Sequence, residues 1–238
     1  MTFGSLFAGI GGFDLGLERA GMKCVWQVEK DDYANRVLEK HWPNVRRCKD
    51  VCDFPPEPTG WECDLICGGF PCQDISLAGK NAGIEGERSG LWREFTRIVR
   101  ILRPRYVVLE NVAALLGRGL GDVLGDLADC GYDAEWSVLS ACSVGAPHTR
   151  ERLFIVSYPH GMFREEGMGF DADEFTRIQR GNPPEMQGDW LATVTANSGS
   201  ANGIPDWSHR CRTLGNSIAP PVAEWIGRRI IETDVNDQ

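Results

Sequence analysis

The chain of 238 residues has no excess of positive charge and no long apolar segment. Lys and Arg number 25 against 34 Asp and Glu, which gives a formal net charge of -9. This balance excludes a general electrostatic attraction to nucleic acid, so a nucleic-acid site would have to be a local basic cleft. The chain shows neither a secretory leader nor an apolar run of membrane-spanning length, so we expect a cytoplasmic protein with no membrane partner.

The cysteine content argues against a secreted disulfide framework. Nine cysteines are an odd number in a chain of ordinary globular composition, 42% hydrophobic and 25% charged, and they indicate reduced thiols. Cys48 and Cys52, and likewise Cys63 and Cys67, are separated by three residues instead of the two usual in zinc sites. We therefore expect buried cysteines and no bound metal, with zinc as the alternative.

Strands and helices alternate along most of the chain. Apolar runs predict strands at residues 2–7, 23–28, 64–67, 106–109, 134–139 and 153–157. Helical periodicity predicts helices at residues 13–20, 31–41, 91–102, 121–130 and 218–230. This alternation is typical of an α/β fold with a doubly wound, mostly parallel sheet.

Residues 158–212 break the alternation. They are rich in Gly, Asn, Pro and Met and follow neither period. We therefore expect a main domain of residues 1–157 plus 213–238 and a small, loop-rich unit of residues 158–212.

Cys72 is the strongest candidate nucleophile. It lies between Pro71 and Gln73 in a tight turn after the predicted strand 64–67. A turn at the end of a buried strand gives a thiol the exposure that it needs to react as thiolate. The alternative is a buried structural cysteine, which is what most cysteines are.

A glycine-rich loop, Phe7-Ala8-Gly9-Ile10-Gly11-Gly12, follows the first strand. Such a loop at a helix N-terminus lets a ligand approach the backbone, and Glu29 after the second strand can accept both hydroxyls of a ribose. The pattern predicts a nucleotide-type cofactor site, although it lacks the Gly-x-Gly-x-x-Gly of dinucleotide enzymes and a simple turn is the alternative. Asp50, near a third strand end, is a candidate for the adenine amino group or else a solvated loop carboxylate.

Charged groups are predicted at the same edge of the sheet as Cys72. Glu110 follows the strand 106–109, and ligands of open α/β folds bind at the carboxyl edge of the strands. Arg150 and Arg152 precede the last strand, and alternation puts both on one side of it. The alternatives are a turn residue for Glu110 and a solvated charged edge for the arginines.

Taken together and in this order, these segments resemble the DNA cytosine-5 methyltransferase family. The matching segments are Phe7 to Gly12, Gly69-Phe70-Pro71-Cys72-Gln73, Glu110-Asn111-Val112, Arg150-Glu151-Arg152 and Gly215-Asn216-Ser217. The resemblance covers residues 3–157 and 213–231. It implies a Rossmann-like, S-adenosylmethionine-dependent methyltransferase in which residues 158–212 are a short target recognition region.

The resemblance implies methyl transfer to carbon 5 of cytosine. Cys72 would attack carbon 6, and Glu110, with a raised pKa, would bind and protonate ring nitrogen 3. Arg150 and Arg152 would stabilise the active-site loop and the substrate. The target base would have to leave the duplex, and residues 77–90 have the composition of a mobile loop that closes over it.

S-adenosylmethionine is the cofactor that the resemblance implies. Phe7 would pack on the adenine, Glu29 would hold the ribose, and Asp50 with Val51 would contact the adenine edge. Asn216 and Ser217 would begin the final helix and return to the cofactor pocket. The whole implied cofactor-binding set is Phe7, Ala8, Gly9, Ile10, Gly11, Gly12, Glu29, Lys30, Asp50, Val51, Gly69, Leu91, Asn216 and Ser217.

The implied partner is double-stranded DNA, in a bacterial or phage-infected cell, with or without a cognate restriction nuclease, and we expect a monomer.

Two features depart from the family pattern. The Arg-Leu-Gln type segment of the recognition region is absent, and residues 158–212 have eight acids against five arginines, unusual for a segment that contacts phosphates.

Two alternatives stay open, an RNA (tRNA) cytosine-5 methyltransferase and a catalytically silent homologue that acts as a binding protein. A dinucleotide oxidoreductase is disfavoured, because the Pro-Cys-Gln and Glu-Asn-Val segments have no role in hydride transfer.

Overall fold

The computed structural model describes residues 1–55, 57, 59–71, 90–144, 149–163 and 216–236. Its strands are β1 (Thr2–Leu6), β2 (Lys23–Val28), β3 (Arg46–Cys48), β4 (Leu65–Gly69), β5 (Tyr106–Val112), β6 (Tyr132–Ser140) and β7 (Glu151–Pro159). Its α-helices are α1 (Gly12–Arg19), α2 (Asp32–His41), α3 (Gly90–Leu102), α4 (Leu120–Asp129) and α5 (Pro220–Asn236). Short 3-10 helices cover Val51–Asp53, Ala113–Gly117 and Ala141–Val144.

The strands form one sheet in the order β3-β2-β1-β4-β5-β7-β6. The first five pair in parallel, whereas β7 runs antiparallel to both β5 and β6. The predicted doubly wound, mostly parallel α/β fold is confirmed. From β1 the chain adds β2 and β3 on one side, and it then returns to add β4 and β5 on the other side. Such a reversal of strand order opens a ligand crevice at the carboxyl ends of the strands on either side of it, here β1 and β4.

Apolar side chains alternate between the two faces of the sheet. On β5, Val107 and Leu109 join a core with the apolar faces of α3 and α4, whereas Tyr106 and Val108 join a core with α1 and α5. These central strands are buried on both faces, so their near-continuous apolar runs are those of a parallel sheet covered by helices.

Several strands are longer than the sequence predicts. β5 continues to Val112, because Glu110, Asn111 and Val112 stay paired with β7. Glu110 is therefore inside a strand, and the prediction that it follows the strand was wrong. β7 continues to Pro159, beyond residue 157, since its last residues pair with the start of β6. These paired stretches contain polar residues, so a search of the sequence for apolar runs does not detect them.

A buried carboxyl joins α1 to the sheet. Asp14 is fully buried and accepts hydrogen bonds from Ser5 Oγ at 3.2 Å, Cys24 Sγ at 3.4 Å and Gln27 Nε2 at 2.8 Å. Burial raises the pKa of the Asp14 carboxyl, and these donors oppose the increase only in part. The network fixes the start of α1, and so the end of the glycine-rich loop, against β1 and β2.

Helices α1 and α5 touch through glycines. A Cβ at Gly16 would lie 2.4 Å from the carbonyl oxygen of Pro220 and 2.5 Å from Cβ of Ala223. On the other helix, a Cβ at Gly227 would lie 2.8 Å from Cβ of Ala20. The two helices can therefore approach closely only because these positions lack side chains.

We expect Gly16→Ala to destabilise the protein, because the added methyl would have to push the backbone of α5 away. Overpacking of this kind costs about 1–3 kcal/mol. The measurement is the free energy of unfolding from urea titration.

The matched control is Gly125→Ala, in an exposed part of α4 where a Cβ meets nothing within 4 Å. Its helix propensity should make it neutral or more stable by about 0.5–1 kcal/mol. Equal effects of the two substitutions would contradict the packing argument.

Candidate functional site

A cavity of about 220 Å³ opens at the point where the strand order reverses. It lies between the ends of β1 and β4, the N-terminus of α1 and the segment before α5. Its wall is made by Phe7, Ala8, Gly9, Gly12, Phe13, Glu29, Asp31, Ala34, Gly69, Glu110, Asn216, Ser217 and Ile218. Residues predicted from separate parts of the sequence therefore surround one cavity.

The glycine-rich loop has a backbone that most residues cannot adopt. Gly9 and Gly11 have φ angles of 57° and 85°, and Phe7 is a non-glycine residue at φ 53°. A Cβ at Gly11 would come within 2.5 Å of the Trp42 ring, and one at Gly12 within 2.7 Å of Ser217 Oγ. The loop is thus fixed between the end of α2 and the segment before α5, and the backbone of Gly9 stays open to the cavity.

Glu29 is held at the cavity by backbone donors. Its Oε2 accepts from Gly9 N and its Oε1 from Asp31 N, both at 2.7 Å. Asn35 Nδ2 in turn donates to the carbonyl oxygen of Glu29 at 2.6 Å. The carboxylate is therefore preorganised, with lone pairs left for a ligand diol. The sequence analysis missed Asn35, and no motif in the sequence distinguishes it from other helical polar residues.

The turn after β3 has a second carboxylate. Asp50 Oδ1 accepts from Cys52 N at 3.0 Å, and Asp50 Oδ2 pairs with Lys30 Nζ at 3.1 Å. These two contacts, the backbone donor first, hold the pKa of Asp50 below its ordinary value. The Lys30 side chain is exposed, and Val51 is buried in the same apolar cluster as Phe7 and Leu91.

Glu110 is the buried acid of the site. Its Oε1 pairs with Arg152 Nε at 3.0 Å, and only 11% of its side chain is exposed. A Cβ at Gly69 would lie 2.8 Å from Glu110 Oε2, so the glycine of β4 makes room for this carboxyl. Burial raises the pKa of Glu110, and the guanidinium groups of Arg152 and Arg150 oppose that increase only in part. The pKa of Arg150 is lowered, by burial first and then by Arg152.

Asn111 supports Phe70, the residue that follows β4. Its Nδ2 donates to the carbonyl oxygen of Phe70 at 3.0 Å, and the Phe70 ring packs on Trp92 with 4.8 Å between ring centroids. The sequence analysis gave Asn111 no role of its own. Successive residues of a strand face opposite sides of the sheet, so the position of Asn111 beside Glu110 does not by itself predict this contact.

Not every residue predicted for the site lines the cavity or belongs to the residues that the structure describes. Cys72 lies outside the described residues, and so do residues 77–89 of the predicted loop, whereas Gly90 begins α3. Asn216 and Ser217 precede α5, which begins at Pro220, because proline favours the first turn of a helix. The predicted cofactor residues that do not line the cavity are Ile10, Gly11, Lys30, Asp50, Val51 and Leu91.

The part of the chain that the structure describes shows neither a metal-binding cluster nor a membrane-spanning helix. No group of three or more His, Cys, Asp or Glu side chains there is placed to hold a metal ion. Across the same residues, no helix is both long and apolar enough to cross a membrane.

The sequence of the chain matches a known protein family. The model of the C-5 cytosine-specific DNA methylase family matches residues 1–187. The chain belongs to this family. It is 36% identical over 182 residues to the type II methyltransferase M.NgoFVII of Neisseria gonorrhoeae. The matched stretch covers 74% of this chain and 48% of that relative.

A second relative agrees with the family assignment, and a solved structure shares the fold. M.HhaI of Haemophilus parahaemolyticus is 35% identical to this methylase chain over 162 residues, 66% of this chain and 49% of M.HhaI. The crystal structure of a Spodoptera frugiperda DNMT2 mutant shares the fold, with a TM-score of 0.58 and 21% identity over 69% of this chain and 51% of the other. The methylase chain spans about half the length of these relatives.

We expect Glu110→Gln to change how the stability of this methylase chain depends on pH. The folded state holds the Glu110 proton more tightly than the unfolded chain, so the contribution of this group to stability is fully present below the ordinary pKa of 4.5 and is lost as pH rises through the folded pKa. Gln cannot ionise and lacks this decrease. Urea unfolding at about pH 5 and about pH 8 should therefore show the variant gaining relative to the wild type at the higher pH.

The control is Glu39→Gln, a neutralised acid on the exposed face of α2. It should keep a constant difference from the wild type at both pH values. A constant difference for Glu110→Gln as well would show that its carboxyl does not hold a proton in the way proposed.

Proposed function

We propose that this methylase chain transfers a methyl group from S-adenosylmethionine to carbon 5 of cytosine in double-stranded DNA, within a specific sequence context. The observation that carries the proposal is the Glu110 carboxyl, buried, paired with Arg152 and facing the cavity that Glu29 and the glycine-rich loop also line. A carboxyl with a raised pKa next to a cofactor-type cavity is suited to protonate a base while a methyl group is transferred.

The proposed reaction begins with Cys72 on a cytosine that has left the duplex. The thiolate forms a bond to carbon 6, and the electron pair of the 5,6 double bond moves toward carbon 5, which becomes nucleophilic. Glu110 gives its proton to ring nitrogen 3 and so offsets the developing negative charge. Arg152 orients that carboxyl, and Arg150 adds positive charge beside it. After methyl transfer, solvent takes the proton of carbon 5 and the electron pair of that bond restores the 5,6 double bond. Sulfur then leaves carbon 6 as the Cys72 thiolate, and ring nitrogen 3 returns its proton to Glu110.

S-adenosylmethionine supplies the electrophilic methyl group when it is bound. The residues present fit it, since Glu29 offers a preorganised carboxylate for the ribose diol and Gly9 leaves open space beside its backbone. Phe7 would pack on the adenine, and Asp50 with Val51 would contact the adenine edge. The residues that would line the same site are Ala8, Gly12, Gly69, Asn216 and Ser217. Those that would support it from outside the cavity wall are Ile10, Gly11, Lys30 and Leu91.

The wider setting belongs to the same proposal. Residues 1–157 plus 213–238 form the catalytic and cofactor-binding domain, and residues 158–212 form a short target recognition region. The protein acts as a monomer in the cytoplasm of a bacterial or phage-infected cell, with or without a cognate restriction nuclease.

We expect Cys72→Ser to abolish DNA methylation while S-adenosylhomocysteine still binds, because the hydroxyl is a far weaker nucleophile than the thiolate. The loss should be on the order of a thousandfold or more. The measurement is bisulfite or nanopore sequencing of plasmid DNA from cells that express each variant.

Cys142→Ser is the matched control, since Cys142 is an exposed thiol in the 3-10 helix Ala141–Val144. It should leave methylation at one sequence context unchanged. Methylation retained by Cys72→Ser would end the proposed mechanism.

The RNA alternative is separated by transfer of tritium from labelled S-adenosylmethionine to duplex DNA and to tRNA in parallel. We expect transfer to DNA. Transfer to tRNA alone would favour the RNA enzyme, and transfer to neither, together with retained cofactor binding, would favour a silent homologue.

A further inference from the structure

Arg97 of α3 reaches across to the turn after β3. Its Nη2 donates to the carbonyl oxygen of Val51 at 3.1 Å and also to that of Phe54. Its Nε donates to Glu94 Oε2 at 2.6 Å, one turn earlier on the same helix. A single guanidinium therefore joins two carbonyl oxygens of one turn to a carboxylate of α3.

The contacts hold both ends of the 3-10 helix Val51–Asp53. Phe54 N donates back to the carbonyl oxygen of Val51 at 3.2 Å, so that oxygen is shared by the turn itself and by Arg97. A planar guanidinium with several donors suits this arrangement, whereas a lysine ammonium would be a single point charge. Glu94 fixes the rotamer from which the fork reaches the turn.

This same turn has a place in the proposed cofactor site. Asp50 and Val51, proposed to contact the adenine edge, lie at its beginning, and the Asp50 carboxylate already accepts from the backbone of Cys52. The turn is only three residues long, and a helix this short has little stability of its own. Its shape therefore depends on contacts from outside, of which Arg97 makes two.

We infer that Arg97 is a positioning residue for the adenosine end of the cofactor site, which it keeps in shape through the carbonyl oxygens of Val51 and Phe54. The inference rests on the proposed function, because it takes Asp50 and Val51 as adenine contacts. Arg97 acts through the backbone and touches no reacting atom. Its loss should weaken cofactor binding and leave methyl transfer at saturating cofactor unchanged.

The test is isothermal titration calorimetry of the full chain with S-adenosylhomocysteine. Arg97→Met should raise the dissociation constant about tenfold, the effect of a charged hydrogen bond lost from a preorganised site. Arg97→Lys, which keeps the charge without the fork, should fall between Arg97→Met and the wild type. In methylation assays the KM for S-adenosylmethionine should rise by the same factor while kcat stays unchanged.

Arg100→Met is the control, because Arg100 is exposed on the same helix and neighbours Cys130. It should change the dissociation constant by less than about twofold. If Arg97→Met fails to fold, Arg97→Lys provides the comparison.

Two outcomes would overturn the inference alone, an unchanged dissociation constant in a folded Arg97 variant, and a lower kcat with an unchanged KM. Absence of S-adenosylhomocysteine binding by the wild type would instead overturn the proposed cofactor site and this inference together.

Discussion

The close contact between the start of α1 and the segment that enters α5 is the constraint on which the site depends. Gly12 and Gly16 bring backbone atoms of residues more than 200 positions apart within van der Waals distance. A side chain at either glycine would separate the two segments. The contact places Asn216 and Ser217 on the wall of the cavity, so one packing requirement both closes the fold and completes the cofactor side of the site.

Burial and charge set the pKa of the Glu110 carboxyl, which lines the same cavity. Glu110 lies in the interior of β5, where removal from water favours the protonated carboxyl, whereas the guanidinium of Arg152 favours the ionised one. Burial has the larger effect, and the pKa stays raised. A buried carboxyl in this balance can both accept an orienting hydrogen bond and hold a proton, and a surface salt bridge would do only the first.

Helix α3 contacts two segments that follow strands of the sheet. Trp92 packs on Phe70, the residue after β4, and Arg97 donates to a backbone carbonyl oxygen of the turn after β3. One helix thus supports the residue next to Gly69 of the cavity wall and the turn that carries the proposed adenine contacts. The 3-10 helix of that turn is too short to keep a fixed shape by itself.

The sequence by itself determined the fold class and the family, because apolar periodicity and the ordered segments around Gly9, Cys72 and Glu110 are local signals. It did not place the boundary of β5, since the pairing that extends that strand through Glu110 comes from β7, more than 40 residues away. Asn35 and Arg97 were invisible for the same reason. Their roles are hydrogen bonds to backbone carbonyl oxygens, which leave no pattern in side-chain composition, and only the tertiary structure decides which carbonyl lies within reach.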